Sequence, residues 1–357
     1  MTHLERFNEI FKGSEADAAI ITSEVNQSWL CGFDYTDGFL LITKEKAYLI
    51  TDFRYVEAAN AEADKAFEVI SPNGMLSEIN DILARHGAKS VIYEEATLSV
   101  SQLRAFESRI DNASFAPGAS KMIDGLREFK DAAELECIAK AQDIADAAFD
   151  HILKVMTPEM TEIDVALELE FFMRKNGAKA ASFDIISVSG SASSLPHGVP
   201  RNVKLQKGFL TLDYGALYNG YCSDMTRTVV IGKADADMKK LYDTVLKAQL
   251  AGVEAAGPGM GCRALDKVAR DIIYGAGYEG CFGHSLGHGV GKYIHEAPRL
   301  APGAPEDAVL KPGQVITVEP GIYIAGKYGC RIEDMLAVTE NGVRNFAHST
   351  KEMIELF

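Results

Sequence analysis

The sequence predicts an α+β protein of two domains, a small α/β domain over residues 1–118 and a larger domain over residues 119–357. Two observations carry this prediction. Residues up to about 115 alternate short β-rich runs with helical patterns. Beyond them, long helical patterns are interleaved with strand-like runs joined by short hairpin-like turns, which favours antiparallel sheet with helices gathered on one face.

In the first domain, Ala18 to Thr22, Gly38 to Thr43, Ala47 to Thr51, Ala66 to Ile70 and Lys89 to Tyr93 read as strands, being short and rich in Ile, Val, Leu, Tyr and Phe. Tyr55 to Ala66 and Leu76 to His86 have helical spacing, and Gly87 sits where a C-terminal cap glycine belongs. The turn-prone stretch Asn112 to Ser120, with Pro117-Gly118, is the predicted domain boundary.

In the second domain, helices are predicted over Asp131 to Met156, Thr161 to Asn176, Asp237 to Ala256 and Arg263 to Tyr274. Thr161 to Asp164 resembles a capping box with Asp in place of Glu. Strands are predicted at Ser182 to Ser189, Phe209 to Tyr214, Tyr221 to Ile231, Val315 to Glu319 and Arg331 to Val338. The order helix, helix, strands, helix, helix, strands suggests two similar halves.

The 357 residues carry 36 Lys plus Arg against 51 Asp plus Glu, a formal net charge of -15. That charge opposes nucleic acid and anionic membranes as partners, and no Lys/Arg-rich block overrides it locally. The start of the chain has no apolar signal-peptide core, and no run of 18 apolar residues occurs, so a soluble cytoplasmic protein is expected. Six cysteines stand far apart without a Cys-x-x-Cys pair, which argues against a disulfide framework or a zinc ribbon.

Chemistry concentrates in the second domain. Asp213 ends an apolar strand, and Asp224 follows a hairpin turn at Asn219-Gly220. That turn would pair Asp213 with Thr226 and bring Asp224 to the same face. Two like charges so placed among apolar strands are costly unless a cation neutralises them. Glu319, after Val315-Ile316-Thr317-Val318, and Glu333, after a glycine-bearing turn, repeat the arrangement.

Between the pairs lies Phe282-Gly283-His284-Ser285-Leu286-Gly287-His288-Gly289-Val290-Gly291-Lys292-Tyr293-Ile294-His295. Its glycines permit close backbone approach, so the histidines can point into one site. A phosphate loop is disfavoured because position 286 is Leu and position 293 is Tyr, and a dinucleotide fingerprint lacks its spacing. Four carboxylates with imidazole suit Mn²⁺ or a similar ion better than structural zinc. Their charge calls for more than one cation, and two ions about 3.5–4 Å apart could activate a shared water.

These motifs resemble the pita-bread metallopeptidases, in the branch of Xaa-Pro dipeptidase (prolidase) and aminopeptidase P. The resemblance spans Phe183 to Pro200 with Pro196-His197-Gly198, Asp213-Tyr214-Gly215, Ser223 to Thr228, Gly287 to Gly291, His295 to Pro298, Val318 to Gly321 and Arg331 to Asp334. Trp29 to Phe33 and Thr51 to Tyr55 extend it to the family's smaller N-terminal domain.

The resemblance implies Asp213, Asp224, His288, Glu319 and Glu333 as ligands of two divalent ions, Mn²⁺ or else Co²⁺ or Zn²⁺, bridged by Asp224 and Glu333. It implies a metal-bridging hydroxide that attacks the scissile carbonyl while Glu319 manages its proton. His197 and His295 would stabilise the tetrahedral intermediate, His284 would support the substrate, and Arg299 would hold a substrate carboxylate. Short proline-containing peptides are the implied substrates and a homodimer the implied assembly. Arg331, on the face of Glu333, is expected to hold the carboxylates, and Tyr214 to face the core. A creatinase-type metal-independent hydrolase, or a non-catalytic binding protein on the same fold, is the alternative. A methionine aminopeptidase shares the ligands but lacks the extra domain.

Overall fold

The computed structural model describes all residues from Met1 to Phe357. They form two compact units, Met1–Arg127 and Glu128–Phe357.

In the first unit, alternating apolar residues drive a six-stranded mixed sheet ordered Phe67–Ile70, Ala47–Thr51, Gly38–Thr43, Ala18–Ile21, Ser90–Tyr93, Ser114–Pro117. The Ala18–Ile21 strand is buried on both faces: Ala19 and Ile21 enter one core cluster, Ala18 and Ile20 the other. Four helices escape the sequence prediction, His3–Lys12, Glu24–Cys31, Val100–Arg109 and Ala119–Arg127, although the first three begin with a side-chain cap, at Thr2, Ser23 and Ser99. The stretch predicted as a boundary turn is instead the edge strand Ser114–Pro117 and the start of the Ala119–Arg127 helix. Ala119 and Ile123 bury in the first unit's core, so the division falls after Arg127 rather than after residue 118.

The second unit repeats one theme. Helices Ala132–Val155 and Glu162–Lys175, both with complete capping boxes, cover the sheet Glu355–Leu356, Met225–Ile231, Gly208–Tyr214, Ile186–Ser189. Helices Ala236–Ala255 and Cys262–Gly275 cover the sheet Glu296–Leu300, Gly287–Gly289, Val315–Val318, Asp334–Thr339, Gly342–Asn345. Each helix pair packs its apolar stripe on one sheet face. The opposite faces carry the polar residues described next.

Two predicted strands are interrupted. The run Tyr221 to Ile231 breaks between Tyr221–Cys222 and Met225–Ile231, and the run Arg331 to Val338 breaks between Tyr328–Arg331 and Asp334–Thr339. Both breaks fall at candidate site residues, where the chain gives up ladder pairing to redirect a carboxylate.

Candidate metal centre

Asn219 and Gly220 both have positive φ, 49° and 78°, as a type I′ turn requires, and they pair Tyr218 with Tyr221. The same register continues past the break and sets Thr226 opposite Asp213. Within the break, Asp224 opposes Gly215, where an added Cβ would stand 1.8 Å from the Ser223 carbonyl oxygen. Glycine at 215 is therefore what lets the two segments close up and direct Asp224 inward.

In the other half, His288 sits between two glycines on the Gly287–Gly289 strand. A Cβ at Gly287 or Gly289 would come within 2.0 Å of the Thr317 or Ala297 carbonyl. The His288 backbone N–H donates to Thr317 Oγ1 at 3.1 Å. Glu319 leaves the end of the Val315–Val318 strand with its N–H on the Leu286 carbonyl, and Glu333 occupies the second break with its N–H on the Thr226 carbonyl.

These elements bring Asp224, His288 and Glu333 together, with one ligand atom from each within 4.8 Å of the others. His288 Nε2 lies 3.6 Å from Asp224 Oδ2 and 3.4 Å from Glu319 Oε1. Its Nδ1, 3.0 Å from the Gly289 carbonyl, must carry the proton, which leaves the Nε2 lone pair facing the carboxylates. Burial holds the ring down to about 4, so it is neutral at pH 7. Asp213 lines the same cleft and accepts from Arg331 Nη2 at 2.5 Å, while Arg331 Nε donates to Thr226 Oγ1 at 3.0 Å.

The carboxylates are under-compensated. Burial first, then Asp213 and Glu319, push Asp224 well above the carboxylate range. Burial, then Asp224 and its neighbours, do the same to Glu333. Burial raises Glu319 to about 8 against the opposing pull of Arg331. Hard oxygen donors and one imidazole lone pair, short of positive charge, are a donor set that fits divalent cations, and these five residues could hold them.

The remaining predicted residues line one cleft of about 550 Å³ with the acidic group: His197, His284, His295 and Arg299. The His295 ring meets the His288 ring edge-on at 4.3 Å. Burial, then Arg299 and His197, lower its pKa. His284 is more constrained than the sequence suggests. Its Nδ1 is 2.8 Å from the Ser285 carbonyl and its Nε2 is 3.0 Å from the Tyr323 hydroxyl. Because Arg331 Nη1 donates to that hydroxyl at 2.6 Å, the phenol proton goes to Nε2 and both ring nitrogens are occupied. His284 thus contributes a wall of the cleft rather than a free hydrogen-bond donor. Tyr214 turns away from the cleft, buried with its hydroxyl on the Ala145 carbonyl.

Sequence reasoning missed Tyr323, which bridges His284 and Arg331, and Thr226, whose hydroxyl donates to Glu333 Oε2 at 2.6 Å. Thr226 could have been found, since it pairs with Asp213 in the predicted register. Phe183, Ile185 and Pro196 lie in the span that carries the family resemblance, but neither it nor the local pattern gives them or Ile294 a role as the apolar wall of the cleft.

Comparison with known proteins defines the class. Residues 136–340 match the model of metallopeptidase family M24, and residues 3–129 match the creatinase/prolidase N-terminal domain. The chain belongs to metallopeptidase family M24, with a pita-bread catalytic unit behind a creatinase/prolidase N-terminal domain. It is 37% identical over 353 residues to the Xaa-Pro dipeptidase of Pyrococcus furiosus, covering 98% of this chain and 99% of that protein. The solved Xaa-Pro dipeptidase from Bacillus anthracis superposes with a TM-score of 0.94 at 44% identity over 99% of both chains. The X-Pro aminopeptidase from Thermotoga maritima MSB8 gives 0.91 at 33% identity, over 98% of this chain and 99% of that one.

Proposed function

We propose that this protein is a metal-dependent exopeptidase that hydrolyses the Xaa-Pro bond of short peptides, as an Xaa-Pro dipeptidase or Xaa-Pro aminopeptidase. The observation that carries the reading is the convergence of four carboxylates and one free imidazole lone pair on a cleft with an apolar wall. Asp213, Asp224, His288, Glu319 and Glu333 would hold two divalent cations, Mn²⁺ by preference and otherwise Co²⁺ or Zn²⁺. When bound, these supply an activated water as nucleophile and Lewis-acid polarisation of the scissile carbonyl.

The chain's own residues do the rest. Glu319 takes the proton lost as the water oxygen bonds to the carbonyl carbon and returns it to the proline nitrogen as the C–N bond breaks. His197 and His295, at the cleft wall, stabilise the developing oxyanion. Arg299 holds the substrate's carboxylate, and Phe183, Ile185 and Ile294 receive the proline ring. An Xaa-Pro bond has no N–H on proline, so an apolar wall there leaves no donor unpaired. The catalytic unit would work in a cytoplasmic homodimer. The support is the family resemblance and the acidic, membrane-averse charge of -15; no helix is long and apolar enough to cross a membrane.

Assaying Mn²⁺-, Co²⁺- or Zn²⁺-loaded protein on Xaa-Pro dipeptides and Xaa-Pro-Yaa tripeptides tests this. Cleavage of either, abolished by a strong chelator, is expected. Cleavage of neither, or activity indifferent to the chelator, overturns it.

A further inference from the structure

We propose that Arg227 is a positioning residue for Glu333, and that through it the Ser349–Lys351 segment becomes part of the scaffold of the metal centre. The inference rests on the reading of Glu333 as a ligand.

Arg227 is 1% exposed, and its guanidinium is spent almost wholly on backbone. Nη1 donates to the Thr226 carbonyl at 3.0 Å and to the Glu333 carbonyl at 2.5 Å. Nη2 donates to Asp334 Oδ1 at 2.8 Å and to the Ser349 carbonyl at 2.9 Å, and Nε reaches the Thr350 carbonyl at 3.1 Å. A simple buried ion pair would need only the Asp334 contact.

The Nη1 contacts fall at the strand break. Glu333 has no ladder partner there, and its N–H donates instead to the Thr226 carbonyl at 3.1 Å. Arg227 Nη1 binds that same carbonyl and the Glu333 carbonyl, so the Glu333 peptide is clamped at both ends. The side chain is held as well, by the Thr226 hydroxyl on Oε2. Side chains alternate along a strand, so Thr226 faces the cleft while Arg227 works from behind. Adjacent residues thus fix the carboxylate and the backbone of one candidate ligand.

The anchor behind Arg227 is complete. Asp334 also accepts from Lys351 Nζ at 2.6 Å and Asn345 Nδ2 at 2.8 Å, and the Tyr242 hydroxyl holds the Lys351 carbonyl at 3.0 Å. From three nitrogens the planar fork serves four carbonyls and a carboxylate at once; an ammonium, with three N–H donors on one atom, cannot.

The test uses chelator-stripped full-length protein titrated with Mn²⁺ against a competing chelator, with thermal midpoints recorded in chelator. Arg227→Lys, which keeps the charge but loses the fork, is expected to bind Mn²⁺ about 10–100-fold more weakly. Asp334→Asn, which leaves the Nη1 contacts, is expected to lower the metal-free midpoint yet bind Mn²⁺ within about threefold of the parent. The proposal is overturned if Arg227→Lys binds Mn²⁺ like the parent, or if Asp334→Asn weakens binding as much. Should the Lys variant fail to fold, Arg227→Gln, which keeps a planar donor but loses the fork, replaces it, and Mn²⁺ binding within about threefold of the parent overturns the proposal. Failure of the parent itself to take up Mn²⁺ would instead remove Glu333 as a ligand.

Discussion

Glu333 and Asp334 are neighbours in the chain, both buried, and the fold treats them oppositely. Asp334 meets Arg227, Lys351 and Asn345, which outweigh the cost of burial and hold its carboxyl below the ordinary range. Glu333, one residue earlier and facing the other way, is driven up by burial first and then by Asp224, Glu319 and Asp213. In the matching half, Glu162 behaves like Asp334. Burial raises it, but Arg201 and the Ser189 donors prevail. The protein therefore neutralises buried carboxylates where they serve structure and, in the cleft, supplies a cation to Asp213 through Arg331 but none in contact with Asp224 or Glu333. The first region is complete in itself; the second is built for an external positive charge.

The largest expected effect comes from breaking the second region. Glu333→Gln or Asp224→Asn should lower kcat/KM by at least about 100-fold, more than loss of an outer-sphere partner. The same Asp224→Asn change should raise the metal-free melting midpoint at pH 8 by about 2–4 °C, because repulsion is relieved. A fall in that midpoint would contradict the contrast. Breaking the first region should do the reverse. Glu162→Ala strands the donors of Arg201 and Ser189 and should cost about 2–4 kcal/mol in urea unfolding, with metal content unchanged in the folded fraction.

The pH dependence separates the regions further. Glu319 is raised from 4.5 to about 8, so folded metal-free protein keeps a proton that the unfolded chain loses. Its contribution is full below pH 4.5 and disappears as pH rises through about 8. Glu162 and Asp334 are lowered, so theirs is present above the unfolded values and is lost as pH falls through the folded ones. Thermal midpoints across pH should fall on both sides without metal, and Mn²⁺ should remove the alkaline fall. The smallest expected effect is that of Tyr323→Phe. It removes one link between His284 and Arg331 and should reduce kcat about 3–10-fold with little change in metal content.

Much of this contrast was legible in the sequence. The Asn219-Gly220 turn fixed the Asp213–Thr226 register, and the long helices were readable from caps such as Thr161 with Asp164. The strand breaks were not: Ser223-Asp224 and Glu333-Asp334 are poor strand formers, but two such residues inside a strong β run do not by themselves end a strand, and a tertiary partner, such as the Thr226 carbonyl for Glu333, is what makes the break worthwhile. The partners of Asp334 come from residues 227, 345 and 351, distances over which local pattern carries no information. His284 was legible as a cleft residue, but the Tyr323 hydroxyl that occupies its Nε2 was not.

The most direct test of the central claim is calorimetric titration of chelator-stripped protein with Mn²⁺ at pH 7, in two buffers of different ionisation enthalpy. Two equivalents bound, with protons released as the raised carboxylates ionise, is the expected result. Binding of no metal, or uptake without proton release, would contradict it.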